Sequence, residues 1–411
     1  MSRQIAKHKL TSNSQPASSD SSFLGYMRSD GRAGTANFWL VVPTVFCENR
    51  NLDVIKEALL YQLGYQNSNP YAAYANQLAQ SYKQGTQLNA NETVSETDFA
   101  VAPLFKNVTG VKFLNHTGGC GGTRQDADAL ARLLAAYINH PNVGGVSIIS
   151  LGCQNLQTQQ LLQYVKTANP SFNKPLHIIE QQQAASEQQL ITLAINQIIQ
   201  GLEQINQCVP IHTPFSQLCI GIQTDTPLVC KTDANNVQKI ISQLVASECK
   251  VLMAQNDSNI ALQMVKSQLQ HPKLISKFDQ LLHLYQSAYA SNLSHDEPNQ
   301  RFVPWDAAAD VLDYAETAIH TGLNWMFTPP NNAISQTALV AAGATILVRL
   351  GGNSNADIHN PICPLVQLHN KPFKGVRLEK KLVNHLNEYW LLNTYSASHE
   401  QFLPWKRGVS L

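Results

Sequence analysis

In VKFLNHTGGCGGTR (111–124) a histidine, His116, and a thiol, Cys120, lie four positions apart among four glycines, between an apolar run and a helix-like stretch. Glycine adds nothing to a core and costs conformational entropy. It is used where the backbone takes positive φ or where another group must approach closely. Imidazole and thiolate are side chains that move protons near neutral pH or bind soft and borderline metals. Two readings of this turn stand open. Successive backbone N–H groups ahead of a helix can receive an anion, or the segment is a tight turn around a hydrogen-bonded histidine. It is not a dinucleotide fingerprint, because it lacks the G-x-G-x-x-G spacing, a P-loop lysine and an acid about 20 residues on.

Two more thiols stand in comparable places. Cys47 follows the run FWLVVPTV (38–45), and Cys153 with Gln154 sits in SLGCQNLQ (150–157). Thiolates at 47, 120 and 153 could hold iron or zinc and leave one position for substrate. Their wide spacing equally suits cysteines that are simply free. In RSDGRAGTANFW (28–39), Arg28 and Arg32 could clamp a carboxylate through paired hydrogen bonds, with Asp30 orienting one of them. The competing reading is an Asp-Gly turn held by local Asp–Arg contacts.

Placing these groups requires strands with helices between them. FWLVVPTV, 97–104, 109–116, 143–151 and 176–180 are short and apolar on both faces. The stretches 51–64, 158–168 and a Gln-rich segment reaching about 207 have helical spacing. In the helix after the glycine turn, Leu130, Leu133, Leu134, Tyr137 and Ile138 fall on one face. Strands apolar on both sides, alternating with helices, are the signature of parallel sheets covered by helices. The expectation is an α/β chain of two units with mostly parallel sheets in Rossmann-like layering. It divides into a disordered tail over 1–22, an N-terminal domain over 23–209 and a C-terminal domain over 210–411. In the second unit the pattern predicts strands at 217–222 and 250–254, helices to about 290, a helix through His320, and the closing strand–helix–strand of 324–349. Ligand groups in such sheets collect at the carboxyl ends of strands. Cys47, the His116–Cys120 pair and Cys153 all have that address.

Composition narrows the function. Lys plus Arg (29) balance Asp plus Glu (28), and only 14% of residues are charged, which offers no footprint for nucleic acid or an anionic membrane. No apolar run reaches the roughly 20 residues of a spanning helix. The first 22 residues have no apolar h-region, so we read them as a tail rather than a secretory signal. Eight scattered cysteines without a C-x-x-C pair point to a reducing compartment, and the cytoplasm is the expected location. We expect a homo-oligomer.

Taken together, the segments GYMRSDGRAGTANFWLVVPTVFC (25–47), FLNHTGGCGGTRQD (113–126), HPNVGGVSIISLGCQNLQ (140–157) and GLNWMFTPPNNAISQTALVAAGATILV (322–348) resemble the altronate and galactarate dehydratase family, which includes the large subunit of sulfolactate sulfo-lyase. The resemblance implies a hydro-lyase that removes water from a sugar acid with help from a divalent metal, iron first. On that reading His116, Cys120 and Asp30 are catalytic. Arg28, Arg32, Gln154 and Asn155 bind substrate, and Cys47, Cys120 and Cys153 surround the metal. The small N-terminal domain that many members carry would be missing, or supplied as a separate small-domain subunit. A catalytically silent relative that binds a ligand or a partner is the alternative.

The departures are specific. GIQTDTPLVCKTDANN (221–236) has Thr224 in place of a family cysteine and no Gly-Gly-Ser-Asp. LGGN (350–353) replaces a T-G-R-G turn, Pro364 a lysine and Ala36 an arginine. Asp225, Asp233 and Asn235 are the nearby polar residues that could compensate.

Overall fold

The computed structural model describes residues 22–66, 69–85, 102–224, 231–254, 259–289, 308–329, 331–350, 360–368, 382 and 403–406. The chain enters through β1 (Ser22–Met27) and β2 (Ala33–Gly34), then β3 (Phe38–Pro43), α1 (Asn49–Leu59), α2 (Pro70–Gln84), β4 (Gly110–Phe113), α3 (Arg124–Asn139), β5 (Val143–Ser150), α4 (Thr158–Ala168), β6 (Leu176–Glu180) and α5 (Glu187–Ile205). β3, β4, β5 and β6 form a wholly parallel sheet in the order β4-β3-β5-β6. All six residues of β3 and all eight of β5 are buried. That is why these strands read as continuous apolar runs. Their alternation divides the covering helices. Trp39 and Val41 face Leu52, Ile55 and the α5 leucines, while Phe38, Leu40 and Val42 face Leu130, Leu134 and Ile138 of α3. Burying each large aliphatic side chain of that stripe contributes roughly 1.5–3 kcal/mol.

α3 starts at a capped turn. Thr123 accepts from the Asp126 backbone N–H while the Asp126 carboxylate accepts from Thr123, a complete capping box. An antiparallel arrangement adds to the parallel layers: β7 (Ile211–Pro214) pairs with β1, and β1 with β2, in a three-stranded sheet beside the main one.

The second half continues with β8 (Cys219–Thr224), α6 (Lys231–Ala246), β9 (Lys250–Met253), α7 (Asn259–Gln268), α8 (Pro272–Tyr289), β10 (Asp310–Leu312), β11 (Gly322–Met326), α9 (Asn332–Ala341), β12 (Ile346–Leu350) and β13 (Leu365–Leu368). Its six strands are also all parallel, in the order β10-β11-β9-β8-β12-β13. The helix expected through His320 is not formed. Asp310–Leu312 instead add an edge strand to β11, and the following turn is closed by the Glu316 carboxylate on the Asp313 N–H. Pairing with the sheet buries Val311 and Leu312 completely, and this outweighs a weak helical preference. Most of the strand expected at 97–104 lies outside the described residues.

The two halves share one core, in which Phe38 and Leu130 meet Leu339, Val340, Leu347 and Trp405. Polar contacts cross the same boundary. Thr35 Oγ1 donates to Thr345 O (2.8 Å), Asn142 Nδ2 to Ile362 O (2.8 Å) and Asn360 Nδ2 to the Tyr137 hydroxyl (2.9 Å). No helix among the described residues is long and apolar enough to cross a membrane.

Candidate functional site at the strand tips

Gly119 is the point where the carboxyl ends of β3, β4 and β5 meet. Its carbonyl accepts from the N–H groups of Asn155 (2.9 Å) and Leu156 (3.2 Å), and the neighbouring Gly118 carbonyl accepts from Phe46 N–H (2.9 Å). Gly119 has φ +95°, and a Cβ there would lie 2.1 Å from Thr44 O, so only glycine fits. Cys47, Cys120 and Cys153 therefore sit on three loops stitched together by backbone hydrogen bonds, and all three thiols are exposed.

Among the described residues no three His, Cys, Asp or Glu side chains gather closely enough to hold a metal ion. The three expected thiols stand on separate loops joined through backbone hydrogen bonds and do not form such a cluster.

His116 lies inside the turn. It is fully buried. Nδ1 accepts from Gly118 N–H (3.2 Å), which puts the proton on Nε2, and Nε2–H donates to Pro43 O (2.8 Å). Burial pushes its pKa down to about 4, with the Pro43 carbonyl acting weakly the other way. Both ring nitrogens thus hold the turn together. Gln154 is also inward. Its Oε1 accepts from Gly152 N–H (2.6 Å) and its Nε2 donates to Ser150 Oγ (2.8 Å), so its amide braces its own loop. Asn155 uses its backbone on Gly119 and reaches Gly122 O with Nδ2 at 3.4 Å.

The residue missed from sequence at these tips is Glu48, beside Cys47. It is fully buried, and Asn51 Nδ2 donates to its Oε2 (2.8 Å). Its Oε1 has no hydrogen-bond partner among the described residues. Burial raises the carboxyl's pKa, with Asn51 opposing and the Glu187 charge adding to the rise. Its one sequence signal is a lone acid between a strand end and a helix start.

The arginine cluster lies at the opposite end of the sheet, about 20 Å away along the six residues of β3. Arg28 uses every nitrogen on structure. Nε donates to Pro141 O (2.6 Å), Nη1 to Asn37 Oδ1 (3.1 Å) and Nη2 to Ala36 O (3.1 Å). Burial lowers its pKa to about 10. Arg32 holds Asp30 at 2.6 Å and donates to Asn139 O (2.8 Å). Lys174 Nζ donates to Ile138 O (3.0 Å) and His140 O (2.7 Å). Three cations thus converge on the C-terminal carbonyls of α3 and the turn after it, where the helix dipole favours positive charge. Burial would raise Asp30, but hydrogen bonds and charge from Arg32 outweigh it and hold the carboxyl below its ordinary pKa. Arg28, Arg32 and Asp30, expected to hold substrate or act on it, are here tied to backbone and to one another at the amino end of the sheet.

Asp30 and Arg32 also line a groove of about 1130 Å³ between the two halves. The groove follows α3 past Arg132 and Arg124 and is walled on the far side by Tyr314 and Lys406. Of the residues proposed to compensate in the second half, Asp225 lies outside the described residues, as do the side chains of Asp233 and Asn235.

These features define an α/β layered protein whose chemistry-bearing loops sit on parallel strand tips. Residues 25–206 match the second domain of the D-galactarate dehydratase/altronate hydrolase family, and residues 306–382 match the D-galactarate/altronate dehydratase C-terminal domain. The chain is 24% identical over 349 residues to an altronate dehydratase of Bacillus subtilis (strain 168), and 21% over 360 residues to one of Escherichia coli (strain K12). Each alignment covers 79% of this chain and 61% of the relative, so the chain spans less than two thirds of those proteins. It is a divergent member of the altronate/galactarate dehydratase family.

Proposed function

We propose that the protein is a hydro-lyase for a sugar acid or related hydroxy-carboxylate, with its reaction centre at the carboxyl ends of β3, β4 and β5. The observation that carries this reading is the convergence of the three thiol-bearing loops on Gly118 and Gly119, in a chain of this family. Dehydration beside a carboxylate needs a group to take the proton and a group to assist the leaving hydroxide. With both His116 nitrogens on backbone groups, the proton-carrying side chains at the tips include the exposed thiols of Cys47, Cys120 and Cys153 and the buried carboxyl of Glu48. Backbone N–H groups of the glycine turn supply donors of the kind that stabilise developing negative charge. The divalent iron expected from the resemblance, a cytoplasmic location and a separate small-domain subunit belong to this proposal as conditions to be supplied in its test.

A second reading is a silent relative that binds a ligand or a partner. The locked His116 and the fully occupied Arg28 favour it, because both are polar groups a catalytic pocket would keep available. The deciding experiment is an anaerobic assay of altronate, galactarate and sulfolactate, with and without added divalent iron. Product formation that Cys153→Ala abolishes supports the hydro-lyase. Silence across the panel, with wild-type folding intact, rejects it in favour of the second reading.

A further inference from the structure

The short segment Leu403–Lys406 touches the strand-tip site and the second half at once. Leu403 is fully buried and its N–H donates to Asn115 O (2.8 Å), one residue before His116. The Trp405 indole lies on Gly118, where a Cβ would come 2.6 Å from ring atom Cζ2 and 2.7 Å from Leu130 Cδ2. Gly118 is therefore held between the indole and α3. Its two backbone polar groups serve the site, the N–H on His116 Nδ1 and the carbonyl on Phe46 N–H. At the far end of the segment, Lys406 N–H donates to the Tyr314 hydroxyl (3.2 Å), and the Lys406 ammonium stands 5.7 Å from the centre of the Tyr314 ring. Tyr314 follows β10, so the segment bridges the carboxyl ends of both parallel sheets.

We propose that Leu403–Lys406 is a clasp through which the second half sets the position of the His116–Cys120 turn, with Trp405 as the positioning residue. The physical basis is the close seat. An indole against a glycine that has no room for a methyl group restricts that peptide as close interior packing does. Through Gly118 the same contact reaches Phe46, and so the loop that carries Cys47 and Glu48. Tyr314 and Lys406 also line the groove between the halves, so the clasp stands between that groove and the strand tips. Its consequence for turnover rests on the hydro-lyase reading, whereas its effect on the turn does not.

The test uses the full chain in two measurements. Backbone amide exchange is followed by mass spectrometry in the parent, Trp405→Ala, Trp405→Phe and Tyr314→Phe. Residues 115–122 are expected to exchange faster in Trp405→Ala, with α5 unchanged and with Trp405→Phe restoring most of the protection. Tyr314→Phe, which removes only the far hydroxyl, is expected to give a smaller change in the same residues. Parent-like exchange over 115–122 in Trp405→Ala overturns the proposal, as does a rise spread evenly over the chain. Should Trp405→Ala fail to fold, Tyr314→Phe decides alone: no change over 115–122 overturns it. The second measurement is steady-state kinetics, where kcat is expected to fall in Trp405→Ala with KM retained. An inactive parent would sink the hydro-lyase reading and leave the exchange result to judge the clasp.

Discussion

His116 and His140 form the same local device at opposite ends of one sheet. In each, Nδ1 accepts the N–H two residues on, from Gly118 or Asn142, and Nε2–H donates to a distant carbonyl, Pro43 O at 2.8 Å or Ala344 O at 3.1 Å. Their surroundings differ. The His140 end is sealed against the second half by Asn142, Thr35 and Thr345, with Arg28, Arg32 and Lys174 on the α3 terminus. The His116 end carries three exposed thiols and a carboxyl with one oxygen unpaired among the described residues. One motif therefore serves a joint at the amino end of the sheet and a thiol-bearing rim at the carboxyl end. A histidine followed by a tight turn says that a turn is pinned. It does not say whether that turn is working surface or seam.

Five measurements can break or sharpen this contrast. The largest effect belongs to the rim's hub: Gly119→Ala, facing both a backbone clash and positive φ, should cost on the order of 4 kcal/mol in urea unfolding. A cost below that of an ordinary surface change would mean the three tips are not tied at Gly119. His140→Ala should cost about 3 kcal/mol, since it strips two buried hydrogen bonds, leaving Asn142 N–H without its acceptor and Ala344 O with only the Cys363 thiol. If it proves no more damaging than a surface alanine, the seam is not where we place it.

A pH series separates the histidines by subtraction. His116 is held neutral with a pKa of about 4 against 6.5 in the unfolded chain. The unfolded state therefore binds more protons between those values, and stability rises with pH through that window. The contribution is fully present above pH 6.5 and is lost as pH falls towards 4, on the order of 3 kcal/mol in all. His116→Gln should flatten this acid slope only in part, because burial also lowers His140. An unchanged slope would show that His116 is not buried neutral. Arg28→Met should cost about 2 kcal/mol by leaving Pro141 O and Ala36 O without their donor. It should leave KM for any sugar acid as it was, and a raised KM would return Arg28 to the substrate. Smallest of all, Cys47→Ala, Cys120→Ala and Cys153→Ala should each change stability by less than about 0.5 kcal/mol. A thiol whose loss unfolds the protein would be a core residue and not part of a rim.

Much of this architecture is legible along the chain. The doubly apolar strands Phe38–Pro43 and Val143–Ser150, the α3 stripe and its Thr123–Asp126 cap all follow from local pattern. So does the gathering of Cys47, Cys120 and Cys153 at strand ends. What stayed hidden were long-range pairings: β7 returning to β1, Asp310–Leu312 joining a sheet edge, and Trp405 seated on Gly118. Glu48 was also unread, because a lone acid gains meaning only from the burial of its neighbours.

Periodicity and glycine placement by themselves determined the layers, the order of elements and the loops able to carry chemistry, because those depend on residues near one another in the chain. Tertiary structure decided which polar groups remain available for that chemistry. Arg28, Arg32 and His116 are held by backbone carbonyls. A carbonyl is the same at every position, so no residue type marks in advance which one a side chain will find.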